Sequence, residues 1–358
     1  MRWSHAAVVL SSLILSHTPL TAQEAVVPDI VILEEPPSPR LLDRYWFNAS
    51  FEAGRVKSPW LPPMVVANGA IVAGGERLRT PSLGGFRFTA GAWLEPTRIH
   101  GIDASVDSLN EGRSEATYFV GDTPSYLPVV QGNGEPGFFP LAGPDVGIGA
   151  FQVLHDIRYQ TADVNYRHAC LRDSVVSIDV LAGYRYAHLG EGLHLYNKRM
   201  GGDGFLIRTK DHLSTSNQFH GGQIGLAGEV RHGPMYFSLM GKLAIGAVAS
   251  STLAEGGFRV NGNVDPFGFY TRPALAGMRS HCDFALMPTL NAATGWQCSE
   301  HTRIFVGVNF QYLSTVIRPQ DMLDLVPEWN GNGDGSHRDA GRSDFWAITA
   351  SLGMEWRY

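Results

Sequence analysis

The final stretch of the chain, residues 343–358, constrains the fold more than any other. It reads SDFWAITASLGMEWRY, and its residues alternate strictly between two faces. Successive side chains of a β-strand point to opposite sides, so one face is apolar from Trp346 to Tyr358 and the other is small and polar. Aromatic residues that bound an apolar row are typical of a lipid-facing barrel strand. Taken alone, the stretch fits either a membrane barrel or a soluble β domain.

Composition favours an all-β protein. The chain of 358 residues contains 41 glycines and only 17% charged residues, which suits strands joined by tight turns. A net charge of −6 leaves no basic stripe to meet phosphate, so we expect no nucleic-acid partner. Cys170, Cys282 and Cys298 are too few for a disulfide framework and follow no metal-binding spacing. We expect no cofactor and no metal site, and the pairing of the cysteines stays open.

The N-terminus has the features of a secretory signal peptide. Arg2 precedes an apolar run that is too short to span a bilayer, and small residues follow it. We therefore predict a signal peptide over residues 1–23, cleaved between Ala22 and Ala25, and export from the cytoplasm. Residues 24–43 are rich in proline and acidic residues, which predicts an extended linker.

Two-faced segments recur through residues 44–358, which we assign to one transmembrane domain. In residues 176–186, for example, apolar residues at every second position oppose Asp179 and Arg185. Short turns fall near residues 96, 171, 232 and 300, and long segments near 56–84, 109–149, 189–215, 252–280 and 318–343. This alternation predicts an antiparallel up-and-down β-barrel of about ten strands, with short periplasmic turns and long extracellular loops.

The barrel must also close, and the termini allow it. The last strand can pair with a strand near residues 45–51, so that no strand edge is left in lipid. A strand pair hidden within residues 109–157 would give twelve strands. A secreted sandwich is disfavoured because many successive strands carry whole apolar rows with no helix to cover them. No apolar helix of about twenty residues follows the signal peptide, which excludes a helical membrane protein.

The same segments resemble a known family, the planctomycete outer-membrane β-barrel porin family seven (beta-barrel porin-7 type). The residues that carry the resemblance stand in the family order at 44–69, 84–105, 180–195, 217–233, 287–321 and 343–358, for example VLAGYRYAHLGEGLHL at 180–195. Departures lie in the long loops and at Asp107, where the family tends to place an aromatic residue. The resemblance implies an outer-membrane barrel, and it supplies neither a solute nor catalytic residues.

Charged residues on the inward rows form the candidate lumen site. Their signs are roughly balanced, so we expect ion pairs that fill the barrel more than a selectivity surface of one sign. Eight strands are filled by side chains and sixteen to eighteen leave an aqueous channel, so about ten predict a narrow or occluded lumen. The candidates are Arg87, Asp103, Asp163, Arg167, Asp179, Arg185, Glu229, Arg231, Lys242, Arg303, Glu355 and Arg357.

Two functions fit these observations. The first is a porin-like narrow channel for small solutes in the cell outer membrane. The second is a non-conducting barrel that anchors extracellular loops for surface binding or envelope structure. We expect no enzyme, because the spacing of Asp163, Asp179, His155 and His168 does not single out a catalytic cluster.

The expected partners are those of an outer-membrane barrel. They are outer-membrane lipid and the outer-membrane assembly machinery, and the oligomeric state stays open. Trp356 and Tyr358 end a strand of the type by which outer-membrane proteins are recognised for assembly, so we assign these two residues to assembly.

Overall fold

The computed structural model describes residues 44–130, 136–202, 204–271, 276–323 and 341–358. The predicted signal peptide over residues 1–23 and the linker over residues 24–43 lie outside these ranges, and both stay predictions. Within the described ranges, no helix is long and apolar enough to cross a membrane.

Ten long strands form a closed antiparallel ring in the described part of the chain. They are β1 Tyr45–Val56, β2 Leu83–Trp93, β3 His100–Val120, β4 Ile148–Arg172, β5 Val176–Met200, β6 Leu206–His232, β7 Met235–Val260, β8 Gly277–Gln297, β9 Thr302–Val316 and β10 Ser343–Arg357. Each strand pairs with its neighbours in the chain, and β1 pairs with β10, where Phe47 lies opposite Trp356. The predicted β-barrel and its ten strands are confirmed.

The register of the ring fixes the width of the lumen. Cross-strand partners followed from Phe284 on β8 once around the ring lead back to β8 at Trp296, 12 residues along the strand. A stagger of this size tilts the strands by roughly 40° to the barrel axis. At that tilt, ten strands enclose an interior only slightly wider than the eight-stranded barrels that side chains fill.

Side chains alternate along each strand between the outer face and the lumen. On β5, Ile178, Val180 and Tyr184 are exposed, whereas Asp179 and Arg185 are buried inside. The same alternation gives the outer wall an apolar band, which the hydrocarbon core of a bilayer requires. Exposed residues of the band include Phe47, Phe51, Phe88, Val106, Val164, Ile224, Leu226, Leu239, Ile245, Leu290, Val306, Ile348 and Leu352.

Several strands continue far beyond this band, on the side opposite the short turns. Strands β4 to β7 contain 25 to 27 residues, against 11 to 15 in β1, β2, β9 and β10. Crossing a bilayer takes only about 9–11 residues of tilted strand. The extra length therefore forms a wall outside the membrane, which in an outer-membrane barrel faces the cell exterior.

This wall corrects three of the predicted long segments, since residues 109–120 of the segment 109–149 also belong to β3. Much of 189–215 and 252–280 is strand, and β5 and β6 are joined by residues 201–205 alone. The pattern was misleading because the outward residues above the band are polar, such as Lys198 and Lys210, while the inward ones mix leucines with polar residues such as Asn197 and Asp211. Strand periodicity persists there without the apolar outer row that marks a lipid-facing strand.

The remaining long connections fold into a cap over the outer end of the barrel. Its sheet contains Val65–Ala67, Ala70–Ala73, Ser125–Val130 and Pro136–Ala142, and a separate pair joins Trp60–Leu61 to Glu76–Arg77. A hidden strand pair therefore exists within residues 109–157, but it belongs to the cap sheet. The alternative of twelve barrel strands is wrong.

Two apolar clusters fill the interior at different heights. The lumen layer lies within the ring and contains Val56, Leu83, Leu109, Ile157, Tyr159, Ala187, Leu189, Phe219, Ala244, Val248, Ala285, Met287, Leu313, Val316, Phe345 and Ala347. The cap core combines cap residues with the inner face of the outer wall, including Leu61, Met64, Val65, Leu127, Leu141, Phe151, Leu193, Leu195, Leu213, Tyr270 and Met322. Burial of this apolar surface stabilises the cap on the barrel.

The position of the membrane band can be tested on one strand. We expect Ile224→Arg on β6 to destabilise the barrel by about 2–4 kcal/mol, because Ile224 is 64% exposed within the apolar band. We expect Ser214→Arg, on the same outward face of β6 but above the band, to cost less than about 1 kcal/mol. Urea unfolding in lipid vesicles measures both values. Equal losses at the two positions would contradict this placement of the bilayer.

Candidate functional site

Asp163 on β4 is the centre of the polar lumen. Its carboxylate accepts hydrogen bonds from Arg185 Nη1 at 3.0 Å, Lys242 Nζ at 2.9 Å and Asn165 Nδ2 at 2.7 Å. Asp163, Arg185 and Lys242 are all buried, and each comes from a different strand. A buried charge is tolerated only when it is paired and hydrogen-bonded, so each of these charged side chains requires the others to offset its loss of hydration.

Gln311 on β9 bridges the barrel from wall to wall. Its Oε1 accepts hydrogen bonds from Tyr159 Oη and Arg185 Nη2, both at 2.8 Å, and its Nε2 donates to Asp107 Oδ2 at 2.8 Å. Tyr159 lies on β4, five strands from β9 in the ring of ten, so the two residues stand on opposite walls. The lumen is therefore spanned by side chains at this height.

Two further groups complete the polar filling around this bridge. Arg87 Nη2 lies 2.7 Å from Asp107 and 3.5 Å from Glu52, whose other oxygen accepts a hydrogen bond from Thr349. Glu52 is fully buried. It occupies an inward position on β1, and sequence reasoning left it out of the candidate set.

A second group lies nearer the short turns. Arg167 contacts Asp103 at 3.1 Å and Asp179 at 2.8 Å, and Arg172 also donates to Asp179 at 2.8 Å. The Arg172 guanidinium lies 4.1 Å from the centre of the Trp93 ring, which adds a cation–π contact.

The mouth of the barrel at the short turns has its own ion-pair cluster. Glu229 on β6 lies 2.6 Å from Arg231, 3.1 Å from Arg303 and 3.4 Å from Arg357, and Arg357 also pairs with Glu355. Arg303 and Arg357 belong to β9 and β10, three and four strands from β6. The structure thus places all twelve predicted lumen residues in ion-paired clusters. The cluster at Glu229 reaches across the interior, whereas the one at Arg167 joins neighbouring strands.

The outer end of the lumen is closed by residues 317–322, which we call the cap segment. Asn217 on β6 holds Ile317 at both backbone groups: its Nδ2 donates to the Ile317 carbonyl at 2.8 Å, and its Oδ1 accepts from the Ile317 N–H at 2.9 Å. The segment follows β9, three strands away from β6, so it enters the barrel to reach Asn217. A short 3₁₀-helix, Pro319–Met322, ends the segment.

Arg318 fixes the cap segment by a buried ion pair. Its Nε and Nη2 donate to the two oxygens of Glu191 at 2.8 and 2.5 Å, and Nη2 also donates to the Lys57 carbonyl at 3.0 Å. His155 Nε2 lies 3.1 Å from Glu191 Oε1. Arg318 is only 1% exposed. A bidentate arginine–carboxylate pair of this kind is both strong and geometrically specific.

We call the Arg318–Glu191 ion pair the latch. Sequence reasoning missed it, although one signal was present. Glu191 interrupts an inward row that otherwise reads Leu189, Leu193, Leu195, and a carboxylate in such a row needs a buried partner. Arg318 could not be found in the same way, because it lies in a connection with no strand period.

Asp321 anchors the far end of the cap segment. It accepts hydrogen bonds from the Arg318 backbone N–H at 3.0 Å and from the Ser343 hydroxyl at 2.5 Å. Burial raises the pKa of the Asp321 carboxyl above its usual range, against the opposing effect of these two donors.

The four residues considered for catalysis do not come together. Asp163 and Asp179 are held in separate lumen ion pairs, and His155 lies beside Glu191 in the latch. His168 Nδ1 lies 3.4 Å from Nδ1 of His100, away from the other three. Among the described residues, no group of three or more histidines, cysteines or acidic residues could hold a metal ion, and all three cysteines are exposed free thiols.

The predicted assembly residues lie on the seam of the ring. The N–H of Tyr45 donates to the Tyr358 carbonyl at 2.7 Å, and the N–H of Tyr358 donates to the Tyr45 carbonyl at 2.9 Å. Trp356 stacks on Phe47 with 5.8 Å between ring centroids. Both residues therefore contribute to closure between β10 and β1.

Comparisons with known proteins give structures of similar architecture and one family. The outer membrane protease OmpT of Escherichia coli is 10% identical over 88% of this chain and 97% of its own, with a TM-score of 0.46. The toluene transporter TodX of P. putida and a FadL homologue of Pseudomonas aeruginosa are each 9% identical, over 88% of this chain and 90% of theirs, with TM-scores of 0.25. No curated protein matches the sequence. The model of the family Putative beta barrel porin-7 (BBP7) matches residues 64–358, which is most of the chain, and the protein therefore belongs to this family of outer-membrane β-barrel porins.

Proposed function

We propose that this porin is a gated channel of narrow bore, closed when the cap segment sits in the lumen and opened when it leaves. The observation that carries the proposal is the latch between Arg318 and Glu191, which holds a connection, not a strand, inside the barrel. The Gln311 bridge and the lumen layer stay in the barrel when the segment leaves, so only small ions and water-sized molecules that can pass between these side chains fit the bore.

The latch has the properties of a releasable contact. Removing two charges from water costs free energy that their attraction barely offsets, so a buried ion pair contributes specificity more than stability. The barrel wall is held by continuous backbone ladders, whereas the cap segment is held by side-chain contacts of Asn217, Arg318 and Asp321 and by burial of Ile317 and Met322 in the cap core. Release of the segment therefore leaves the wall intact.

A second function is favoured by the size of the cap. The cap core joins the outer wall to a separate four-stranded sheet, so the barrel holds a folded surface outside the cell. A non-conducting barrel that presents this surface for binding is the alternative, and conductance separates the two functions.

We expect wild-type protein in planar bilayers to stay closed for most of the recording, with brief small steps. Glu191→Gln should raise the open probability about tenfold or more, because the variant leaves Arg318 buried without a carboxylate partner. Glu115→Gln on the exposed face of the outer wall is the matched control and should behave as wild type.

Three outcomes decide between gating and a silent barrel. More frequent steps in Glu191→Gln alone support the gate. A folded Glu191→Gln variant as silent as wild type contradicts it and favours the alternative function. Equal activity in Glu191→Gln and Glu115→Gln would mean that the openings arise elsewhere. Folding of each variant is checked by the shift in gel mobility between unheated and heated samples.

The proposal also includes export of the protein to the outer membrane, and it assigns no catalytic role. We infer that residues 1–23 direct export across the inner membrane and are then removed, and that the assembly machinery and outer-membrane lipid are the immediate partners. No catalytic role is proposed, since Asp163 and Asp179 each pair with two cationic side chains and are not free for acid–base work.

Assembly should depend on Tyr358, which pairs with Tyr45 on the seam of the ring. Deleting Tyr358 removes both of its backbone hydrogen bonds to Tyr45 and should lower the amount of protein in the outer membrane several-fold. Tyr358→Phe keeps these bonds and the aromatic ring, so it should stay close to the wild-type level. Quantitative blotting of outer-membrane fractions measures both, and normal levels of the deletion variant would contradict an assembly role.

A further inference from the structure

We propose that a cavity on the outer side of the cap segment binds a sugar acid of monosaccharide size. The cavity has a volume of about 370 Å³, and its walls include Trp60 and Arg77 from the cap and Gln320 and Asp321 from the cap segment. Ligand sites for small molecules start at about 300 Å³, so one six-membered ring with its substituents fits this volume. The site does not require conduction, and a barrel that never opens could still bind the ligand.

Charge favours an anion. Lys57, Arg77 and Arg318 line the cavity together with one carboxylate, Asp321. Lys57 is already paired with Asp344, and Arg318 with Glu191. Arg77 differs from both, because its Nη1 donates to the Ser58 carbonyl at 2.8 Å and it has no carboxylate partner within the described residues. An exposed guanidinium of this kind can take a carboxylate with two parallel hydrogen bonds.

Trp60 supplies a surface for a ring beside that guanidinium. Trp60 and Arg77 are direct cross-strand partners, so their side chains stand next to each other on one face of the strand pair. The Trp60 side chain is 47% exposed, although a large indole usually buries its apolar area. An indole face next to a guanidinium group suits a ligand that carries both a ring and a carboxylate.

Gln320 indicates that the ring carries hydroxyl groups. Its Oε1 is buried and has no hydrogen-bond partner among the described residues. A buried acceptor without a donor costs free energy. Because Gln320 lines the cavity, rotation of its amide can bring this oxygen to a ligand hydroxyl, which would supply the missing donor. Asp321 adds a second acceptor on the same wall. Acceptors from the cap segment and a cation from the cap match a sugar acid better than an aromatic acid such as benzoate, which has no hydroxyl to donate.

Isothermal titration calorimetry on the full-length protein in detergent tests the site with three probes. We expect D-glucuronate to bind, while D-glucose, which lacks the carboxylate, and benzoate, which lacks the hydroxyls, bind at least tenfold more weakly. Arg77→Gln and Trp60→Leu should each weaken glucuronate binding about tenfold. Arg79→Gln, an exposed arginine two residues along that does not line the cavity, is the matched control and should leave binding unchanged.

Each outcome decides a part of the proposal. Glucose binding as tightly as glucuronate would overturn the role of Arg77. Benzoate binding as tightly would overturn the sugar assignment, and no heat with any probe would overturn the site. The comparison of probes on wild-type protein stays informative if a variant fails to fold. A folded Glu191→Gln variant that stays silent in bilayers, together with glucuronate binding by the wild type, would refute the gate and leave this site standing.

Discussion

Lipid offers no hydrogen bonds, so each backbone N–H and C=O within the membrane must find its partner in the protein. A sheet can meet this demand only by closing on itself, and here β10 closes it by pairing with β9 on one side and β1 on the other. Closure fixes strand number and stagger together, and these two quantities set the width of the lumen. Ten strands staggered by the 12 residues between Phe284 and Trp296 give a space that side chains can fill. What the protein does in the membrane depends on how that space is filled.

The free-energy cost of burying charged groups determines how the side chains that fill the lumen are paired. Asp163 pairs with both Arg185 and Lys242, and Gln311 joins Arg185 to Asp107 across the lumen. Hydrogen-bonded groups in such a network polarise one another, so the loss of one member weakens the rest. Because positive and negative groups alternate through the interior, an ion that entered would meet a balanced field. The size of a solute, more than the sign of its charge, therefore limits whether it can pass through the lumen.

The inward position of the charged residues could be predicted because strand alternation is a local property. Successive side chains of a strand point to opposite faces, so the outward apolar neighbours of Arg87 and Asp179 already imply that these two residues point inward. This inference does not require the strand pairing of the ring. The partners across the lumen could not be predicted, since they depend on the stagger of the whole ring. Tyr159 and Gln311 meet although 152 residues separate them in the chain. The family resemblance, carried by the strand segments, is confirmed over residues 64–358.

Prediction failed above the membrane for a different physical reason. Lipid imposes an apolar outer row, and water does not, so the strand signal weakens where β5 and β6 leave the band. The cap strands were hidden further by turn-forming residues, and Ser125–Val130 contains Pro128 within a strand. A proline is tolerated in an edge or short strand of a small sheet but not in the middle of a long one. The sequence therefore predicted the ring more fully than the cap.

The latch and the cavity are coupled through the cap segment. Gln320 and Asp321 line the cavity only while Arg318 holds the segment against Glu191, so the binding site exists in the closed state. A ligand that binds one of two states shifts the balance toward that state, by about 1.4 kcal/mol when its concentration is tenfold above its Kd. Occupancy of the cavity should then lengthen the closed periods about tenfold. With the proposed gate, such a ligand would inhibit opening, because it binds only the closed state. A transported solute would instead have to bind the open state, in which the cap segment has left the lumen.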